Sequence, residues 1–356
     1  MTRARAPYME WAKKRPRAEV DLAGSNLLAC TLEDLPGARD AVDIAGESSN
    51  GYPPLVAAIA GHSGVDPARV STAGGCSGAN FLALAALLDA GDEALIEWPG
   101  YDPLIAAARM LGGEVRFFQR RFDDGWAVDP DRIAAGATDR TRVVVLSSPH
   151  NPSGVLASQE ALDRLGQLAE RRGFSVLIDE VYLETVHGGS AEPAAARRPA
   201  FVSTNSLTKA YGLTALRCGW AVGSPETAEA IRRARDVADV HSAIPADRLS
   251  VLAFRNLPAL RDRAGRILAD NRALWLAFAS RTPALEWVPP DGSVVFPRFR
   301  DCRDAAAFAS RLFARHRVAI APGSFFGAPS HFRVSLAGAT AKLARGLDAI
   351  AEELAS

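Results

Sequence analysis

The chain has 356 residues, of which 48% are hydrophobic and 23% are charged, as in an ordinary folded protein of about two domains. Its 41 lysine and arginine residues balance 41 aspartate and glutamate residues, so we expect neither nucleic acid nor an anionic membrane as a partner. The apolar run 81–88 is too short to cross a bilayer, and no apolar stretch follows the basic N-terminus. We therefore expect a cytoplasmic enzyme.

The first two thirds of the chain alternate between short apolar runs and amphipathic stretches. This alternation predicts an α/β fold, with a mainly parallel sheet covered by helices on both faces. The predicted strands are 69–72, 93–98, 114–119, 142–147, 175–178 and 200–203, and the predicted helices include 79–88, 104–111 and 160–172.

The last third begins with a helical pattern over 226–236 and 248–280, with a break near Pro258. A smaller α/β pattern follows. Its predicted strands are 293–299 and 332–336, and its predicted helices are 304–315 and 342–354. The four cysteines form no CxxC pair and are expected to be reduced thiols rather than disulfides or zinc ligands.

The segment GGCSGAN, residues 74–80, lies between a predicted strand and a predicted helix. Small residues at such a turn expose backbone N–H groups that suit a phosphate, although the spacing fits neither the dinucleotide fingerprint nor the Walker motif. The same letters spell GxCxG, a cysteine version of the hydrolase nucleophile elbow. In that alternative Cys76 is the nucleophile, Asp179 the acid, and His187, His316 or His331 the base.

Two further motifs end predicted strands. SSPHNPSG, residues 147–154, places Asn151 where open α/β sheets bind ligands, although an Asn-Pro turn is the simpler alternative. LIDEVY, residues 177–182, ends a buried strand with Asp179, which must find a cation or strong donors unless it only caps the next turn.

The segment SLTKAYGLTALRCGW, residues 206–220, contains Lys209, one of only four lysines in the chain. An apolar setting lowers the pKa of an amine and makes it a usable nucleophile for Schiff bases. Arg217, eight residues further on, could hold an anion.

Seven segments in sequence order together resemble the fold-type I pyridoxal-phosphate enzymes, specifically the class I and II aminotransferases. They are GGCSGA, EWPGYDPL, SPHNPSG, LIDEVY, SLTKAYGLTALRCGW, APGSFFG at 321–327 and FRVSLA at 332–337. The resemblance implies a large domain over 41–245 with a seven-stranded, mainly parallel sheet that binds the cofactor. A smaller α+β domain would combine 1–40 with 246–356, and the protein would be a homodimer with shared active sites.

The resemblance also implies roles for individual residues toward pyridoxal 5′-phosphate. Lys209 would form the Schiff base, Asp179 would pair with the pyridinium nitrogen, and Tyr101 would stack on the ring. Asn151 and Tyr182 would hydrogen-bond the 3-oxygen of the ring. The phosphate would be held by Gly75, Cys76, Ser77, Ser206 and Arg217, and the substrate would be bound by Arg333 at its α-carboxylate, with Asn151 and Gly24 nearby.

The reaction implied by the resemblance is transfer of an amino group between an amino acid and a 2-oxo acid. Decarboxylation, β-elimination and cyclisation are alternatives, because the same cofactor supports them and the protein selects which bond at Cα breaks. Tyr52 and His241 are candidates to enter the active site of the partner subunit. His150 is expected behind the site, the other histidines are expected to be structural, and no metal-binding spacing is present.

Overall fold

The computed structural model describes residues 5–186 and 192–356. The N-terminal part contains helix α1 (Pro7–Lys14), strand β1 (Val20–Asp21) and helices α2 (Ala38–Ala41) and α3 (Pro53–Ser63). Proline occupies the first turn of α1 and of α3, where its missing N–H would have no helical partner. β1 pairs in parallel with residues near the other end of the chain, with Val20 opposite Val318.

A seven-stranded sheet forms the centre of the molecule. Its strands are β2 (Val70–Gly74), β3 (Glu93–Trp98), β4 (Glu114–Gln119), β5 (Thr141–Ser147), β6 (Ser175–Asp179), β7 (Phe201–Ser206) and β8 (Cys218–Val222). Their order in space is β2-β8-β7-β6-β5-β3-β4; β8 runs antiparallel to both of its neighbours, β2 and β7, and all other adjacent strands are parallel. The predicted mainly parallel sheet is confirmed.

Helices pack on both faces of this sheet. They are α4 (Gly75–Leu87), α5 (Asp102–Met110), α6 (Pro130–Gly136), α7 (Gln159–Arg172), α8 (Ala194–Arg197), α9 (Leu207–Tyr211) and α10 (Pro225–Ala238). Val144 of β5 belongs to one apolar core with Leu165 of α7, whereas Val145 belongs to another with Leu82 of α4. Because both faces are buried, the central strands are apolar at consecutive positions.

The C-terminal part is a smaller arrangement of helices and short strands. Its elements are α11 (Ile244–Arg255), α12 (Leu257–Ser280), β9 (Leu285–Glu286), β10 (Val294–Val295), β11 (Arg298–Phe299), α13 (Ala305–His316), β12 (Val318–Ala319), β13 (Ala321–Pro322), β14 (Phe332–Ser335) and α14 (Thr340–Ala355). β10 and β13 flank β14 in an antiparallel sheet, β9 pairs with β11, and β12 pairs with β1. A separate apolar core fills this part, with Trp275, Phe308 and Leu347 among its members.

Short 3-10 helices connect several of these elements. They are Leu32–Asp34, Pro67–Arg69, Phe122–Asp124, Leu183–Thr185, Thr214–Leu216 and Gly323–Phe326. In the described parts of the chain, no helix has the length and apolar character needed to span a membrane. Cys30, Cys76, Cys218 and Cys302 are all free thiols.

Three sequence predictions differ from the structure in their boundaries. The strand predicted over 293–299 is two strands, β10 and β11, because Phe296 and Pro297 interrupt the ladder. The helical break lies at Asn256, and Pro258 occupies the first turn of α12, where proline is tolerated. α4 begins at Gly75, four residues before the predicted start at residue 79, because glycine and serine in its first turn gave no apolar signal.

Candidate active site

A cavity of about 540 Å³ opens at the carboxyl ends of β5, β6 and β7 and extends to α1. Parallel strands end at the same edge of a sheet, so the motifs that follow them converge there. Nine of the predicted site residues line this cavity: Cys76, Ser77, Tyr101, Asn151, Asp179, Tyr182, Ser206, Lys209 and Arg217.

Asp179 is the last residue of β6 and its side chain is buried. Its carboxylate accepts hydrogen bonds from Asn80 Nδ2 at 2.8 Å, the Val181 backbone N–H at 3.1 Å and Cys76 Sγ at 3.3 Å. Burial raises the pKa of Asp179, and these donors oppose the increase. Asn80 was not predicted as a site residue from the sequence, although it lies one helical turn after Cys76 within the glycine-rich motif.

Lys209 lies on α9, which begins where β7 ends. Its Nζ donates to Ser25 Oγ at 3.0 Å and to Asn26 Oδ1 at 2.6 Å. Burial, with a contribution from the Arg333 charge, lowers the pKa of Lys209 to about 8. The amine is therefore neutral far more often near neutral pH than that of an ordinary exposed lysine, as a nucleophile requires.

The glycine-rich turn fits closely against Arg217. Gly75 has a φ of 77°, and a Cβ at this position would lie 2.1 Å from Arg217 Nη2. Arg217 Nη2 donates to the Gly74 carbonyl at 2.9 Å, so the guanidinium sits beside the start of α4. A helix N-terminus next to an arginine favours an anion such as a phosphate. The Ser206 hydroxyl lines the same cavity and caps α9 through the Thr208 N–H.

The loop after β5 rests on a buried ion pair. Arg120 Nη1 lies 2.9 Å from Glu97 Oε2, and both side chains are fully buried. Glu97 Oε1 accepts from the Ser147 N–H at 2.8 Å, and Ser147 Oγ accepts from the Asn151 N–H at 2.9 Å. The ion pair therefore fixes the backbone that carries Asn151. His150 lies behind the site, where its ring contacts the Pro99 carbonyl and burial lowers its pKa well below the usual range.

Arg333 is fully buried on β14 and is not among the described lining residues of the cavity, but it is bonded to Asn151, which does line it. Its Nη1 donates to Asn151 Oδ1 at 2.7 Å, and its Nη2 donates to the Ala23 carbonyl at 2.9 Å and to the Tyr8 hydroxyl. Its Nε has no hydrogen-bond partner among the described residues. The guanidinium thus retains N–H groups for a ligand.

Two aromatic side chains form another wall of the cavity. Tyr101 precedes α5 and its hydroxyl approaches Met9 Sδ at 3.3 Å, while Tyr182 follows β6 and is buried. Burial raises the pKa of Tyr182 to about 12 and raises that of Tyr101 as well, so both phenols stay protonated. Gly24 is exposed and does not line the cavity, whereas the neighbouring Ser25 contacts Lys209.

The hydrolase alternative lacks the geometry that it needs. Burial and the Asp179 charge raise the pKa of Cys76 well above its ordinary value, which is opposite to the activation of a thiolate. In the described residues, Cys76 Sγ is bonded to Asp179, Thr204 and Asn80 and to no histidine. His331 stacks on Phe296 and His316 faces Glu352 and Glu353, while His187 lies outside the described residues.

The chain belongs to the class I and II aminotransferase family, whose model matches residues 32–350. Members of this family depend on pyridoxal phosphate, so the protein is a pyridoxal-phosphate-dependent enzyme of fold type I.

Individual relatives carry out different reactions. The chain is 32% identical to capreomycidine synthase of Streptomyces vinaceus, across 98% of this chain and 93% of that protein. It is 26% identical to aspartate aminotransferase of Geobacillus stearothermophilus, across 76% and 72% of the two chains. Its structure superposes on the pyridoxal-phosphate-dependent cyclase OrfR with a TM-score of 0.87 at 29% identity, covering 98% and 96% of the two chains.

The chemical groups of the cavity match those of pyridoxal phosphate. It combines a helix N-terminus and a guanidinium for the phosphate, a buried carboxylate for the ring nitrogen, and an amine of lowered pKa for the aldehyde. Gly219 is also required, because a Cβ there would lie 2.2 Å from the Gly75 carbonyl carbon and push the turn out of place.

Proposed function

We propose that the protein is an aminotransferase that moves an amino group between an α-amino acid and a 2-oxo acid, with Lys209 as its catalytic base. The observation that carries this proposal is the position of the Lys209 amine. Its Nζ lies in the same cavity as Asp179 and Asn151, and Asn151 is bonded directly to Arg333. Its pKa of about 8 suits proton transfer near neutral pH.

The cofactor would be held by groups at both ends of the cavity. Arg217, Ser206 and the backbone of Gly75, Cys76 and Ser77 would bind the phosphate, and Asp179 would hold a proton at the ring nitrogen. Asn151 and Tyr182 would hydrogen-bond the 3-oxygen, and Tyr101 would stack on the ring. When bound, the cofactor supplies an electron sink for the charge that develops at the substrate Cα.

The substrate would be oriented by its carboxylate. Arg333 offers a guanidinium whose Nε has no described partner and whose Nη1 uses one of its two hydrogens, so N–H groups remain to bind a carboxylate. A substrate held there, with its amine at the position of Lys209 Nζ, presents Cα to the displaced lysine. Lys209 would then take the proton from Cα.

The charge of the cavity favours particular substrates. Asp179 is the only carboxylate among the described lining residues, whereas Lys13, Lys209 and Arg217 are basic. A cationic substrate side chain finds no carboxylate in the described lining other than Asp179, which is assigned to the ring nitrogen. We therefore propose that neutral or acidic amino acids are preferred to arginine or lysine. Gly24, beside Ser25, would form part of the cover over the substrate.

A cyclising reaction on the same cofactor is the second candidate. It is favoured by the similarity to capreomycidine synthase, which extends over 98% of this chain, whereas the similarity to the Geobacillus aspartate aminotransferase covers 76%. Both candidates share the initial removal of a proton from Cα, so they assign the same roles to Lys209, Asp179 and Arg333. They differ in whether the enzyme needs a 2-oxo acid to accept the amino group before it can act on another substrate molecule.

The proposal includes a homodimer with shared active sites. Tyr52 and His241 do not line the cavity of their own protomer. Tyr52 precedes α3, and His241 is exposed between α10 and α11. In a dimer, each would reach the cavity of the partner subunit.

An absorption spectrum tests the assignment of Lys209. The purified holoenzyme should have a visible band that borohydride abolishes, and peptide mapping of the reduced protein should locate the cofactor on Lys209. After borohydride treatment, the cofactor should be covalently attached in Lys342→Met, which changes an exposed lysine on α14, and should not be attached in Lys209→Met. Covalent attachment of the cofactor in borohydride-treated Lys209→Met at the level of the wild type would refute the assignment.

A screen of amino acids then separates the two candidate reactions. The amino acid that bleaches the band is the substrate. Recovery of the band on adding pyruvate or 2-oxoglutarate would identify an aminotransferase. Recovery without any 2-oxo acid, with a cyclic product found by mass spectrometry, would replace this proposal with the second candidate.

A further inference from the structure

The N-terminal helix α1 carries a tyrosine that contacts the arginine proposed to bind the substrate. Tyr8 is buried, and its hydroxyl donates to the Ala23 carbonyl at 3.1 Å while it accepts a hydrogen bond from Arg333 Nη2. The centre of its ring lies 5.0 Å from the Arg333 guanidinium carbon. Tyr8 therefore fixes Arg333 both by a hydrogen bond and by contact of its ring with the cation.

From this geometry we infer that Tyr8 is a positioning residue, which holds the Arg333 guanidinium ready for the carboxylate of the substrate. The inference rests on the proposed role of Arg333. Tyr8 acts through Arg333, which both its hydroxyl and its ring contact. It thereby makes α1 part of the substrate site.

The charge environment of Arg333 explains why it needs such support. Its hydrogen-bond acceptors are Asn151, Ala23 and Tyr8, all of them neutral, and no carboxylate of the described residues forms an ion pair with it. A fully buried cation without a counterion is costly, and an incoming carboxylate relieves that cost. Neutral partners hold the guanidinium in place without competing for the role of counterion.

The position of Tyr8 is itself set from the other side of the cavity. The Tyr8 N–H donates to Asp102 Oδ2 at 2.8 Å, and Ala6, which precedes α1, has no side chain that could cap the helix. Asp102 thus caps α1 from the first turn of α5. The adjacent Tyr101, which lines the cavity, packs edge-on against the Tyr8 ring with centroids 6.2 Å apart. Tyr8 therefore contacts both Arg333 and Tyr101, the tyrosine that lines the cavity.

Two probes that differ by one carboxylate test this role. L-alanine and ethylamine both carry the amine, but only L-alanine carries the group that Arg333 would bind. Each is titrated into the holoenzyme while the absorbance of the bound cofactor is followed. In Tyr8→Phe, which keeps the ring and removes the hydroxyl, the dissociation constant of L-alanine should rise about tenfold, as expected for a lost hydrogen bond to a charged group. That of ethylamine should change less than twofold.

The control variant is Phe325→Leu. Phe325 packs against the Tyr8 ring with centroids 6.0 Å apart but does not stack on Arg333, so both probes should bind it as they bind the wild type. Tryptic cleavage after Lys13 and Lys14 in the holoenzyme reports whether α1 remains docked. Cleavage should be equally slow in the wild type and Tyr8→Phe, because the bond between the Tyr8 backbone and Asp102 is retained.

Each result has one interpretation. Equal weakening of both probes, faster cleavage of α1, or unchanged L-alanine binding in Tyr8→Phe would overturn the positioning role. A wild-type enzyme that responds to ethylamine and not to L-alanine would overturn it as well, since Arg333 would then not recognise a carboxylate. A protein that binds no cofactor, or whose cofactor responds to neither probe, contradicts the proposed function instead.

Discussion

Replacement of Lys209 by methionine should stabilise the cofactor-free protein at pH 7. Burial lowers the pKa of Lys209 from 10.5 to about 8, so the folded protein disfavours the charged amine. At about 1.36 kcal/mol for each pKa unit, a shift of about 2.5 units corresponds to at most about 3 kcal/mol of lost stability below pH 8. Methionine fills a similar volume without this cost.

Two hydrogen bonds offset part of this gain. The variant loses the hydrogen bonds from Lys209 Nζ to Ser25 and Asn26, each of which contributes about 1 kcal/mol. The wild-type lysine also keeps some contact with solvent, which reduces the cost of its charge. We therefore expect a net gain of about 1 to 2 kcal/mol at pH 7. The pKa is lowered on folding, so the wild type regains stability as the pH rises from about 8 toward 10.5.

Urea unfolding of the cofactor-free proteins measures this effect. The free energy of unfolding is compared at pH 7 and pH 9.5 for the wild type, Lys209→Met and Lys342→Met. The advantage of Lys209→Met should shrink by about 2 kcal/mol between the two pH values, while the exposed Lys342 should have no comparable effect. If Lys209→Met is less stable than the wild type at pH 7, or if the difference does not depend on pH, the argument from desolvation is wrong.

Three further changes probe other parts of the site. Arg333→Lys keeps the charge and loses the planar guanidinium, so KM for the amino acid should rise about 100-fold while cofactor occupancy stays constant. If the affinity for the cofactor falls as much as the affinity for the amino acid, Arg333 has a structural role instead. Gly75→Ala places a Cβ 2.1 Å from Arg217 Nη2, so titration with pyridoxal phosphate should show at least about tenfold weaker binding, whereas Gly78→Ala meets only ordinary contacts and should bind normally. Comparable affinity of the two variants would argue against the phosphate site. Burial raises the pKa of Asp102 from 3.8 to about 6, so the wild type loses stability as the pH rises through this range. The free energy of unfolding of Asp102→Asn, measured in urea, should therefore exceed that of the wild type by up to about 3 kcal/mol at pH 7.5 and should equal it below pH 4. A difference that does not depend on pH would contradict the raised pKa of Asp102.

The residues that follow the parallel strands were predictable from sequence. A continuous apolar run that ends in a carboxylate, such as 175–179, identifies a buried strand with a polar end, and parallel strands bring such ends together. Asp179 and Asn151 were found in this way, Lys209 was found as one of only four lysines in the chain, and all three line one cavity. The local sequence pattern was enough to predict these residues because each lies at or just after the end of a strand, and the sheet fixes the direction of that strand.

The residues contributed by the N-terminal segment were not predictable by this route. Ser25 and Asn26 contact an amine 184 and 183 positions later, and Tyr8 contacts an arginine 325 positions later. Residues 22–31 are irregular, and α1 is a short helix without a side-chain cap of its own. Such contacts depend on how the N-terminal segment packs against the rest of the molecule, and the periodicity of helices and strands carries no information about that packing.

The charges left without partners define what the cavity can accept. Arg217, which lines the cavity, bonds a neutral carbonyl, and Arg333, which lies behind the lining residue Asn151, bonds only neutral oxygens, so each retains capacity for an anion. Between them, Asp179 is the one carboxylate of the described lining, and Lys209 has a lowered pKa. A ligand that meets all four needs has a phosphate, a protonated nitrogen, a carbon that an amine can attack, and, from the substrate, a carboxylate. Pyridoxal phosphate with an amino acid meets these needs, whereas a hydrolase substrate attacked by Cys76 would leave both arginines and Lys209 without a function.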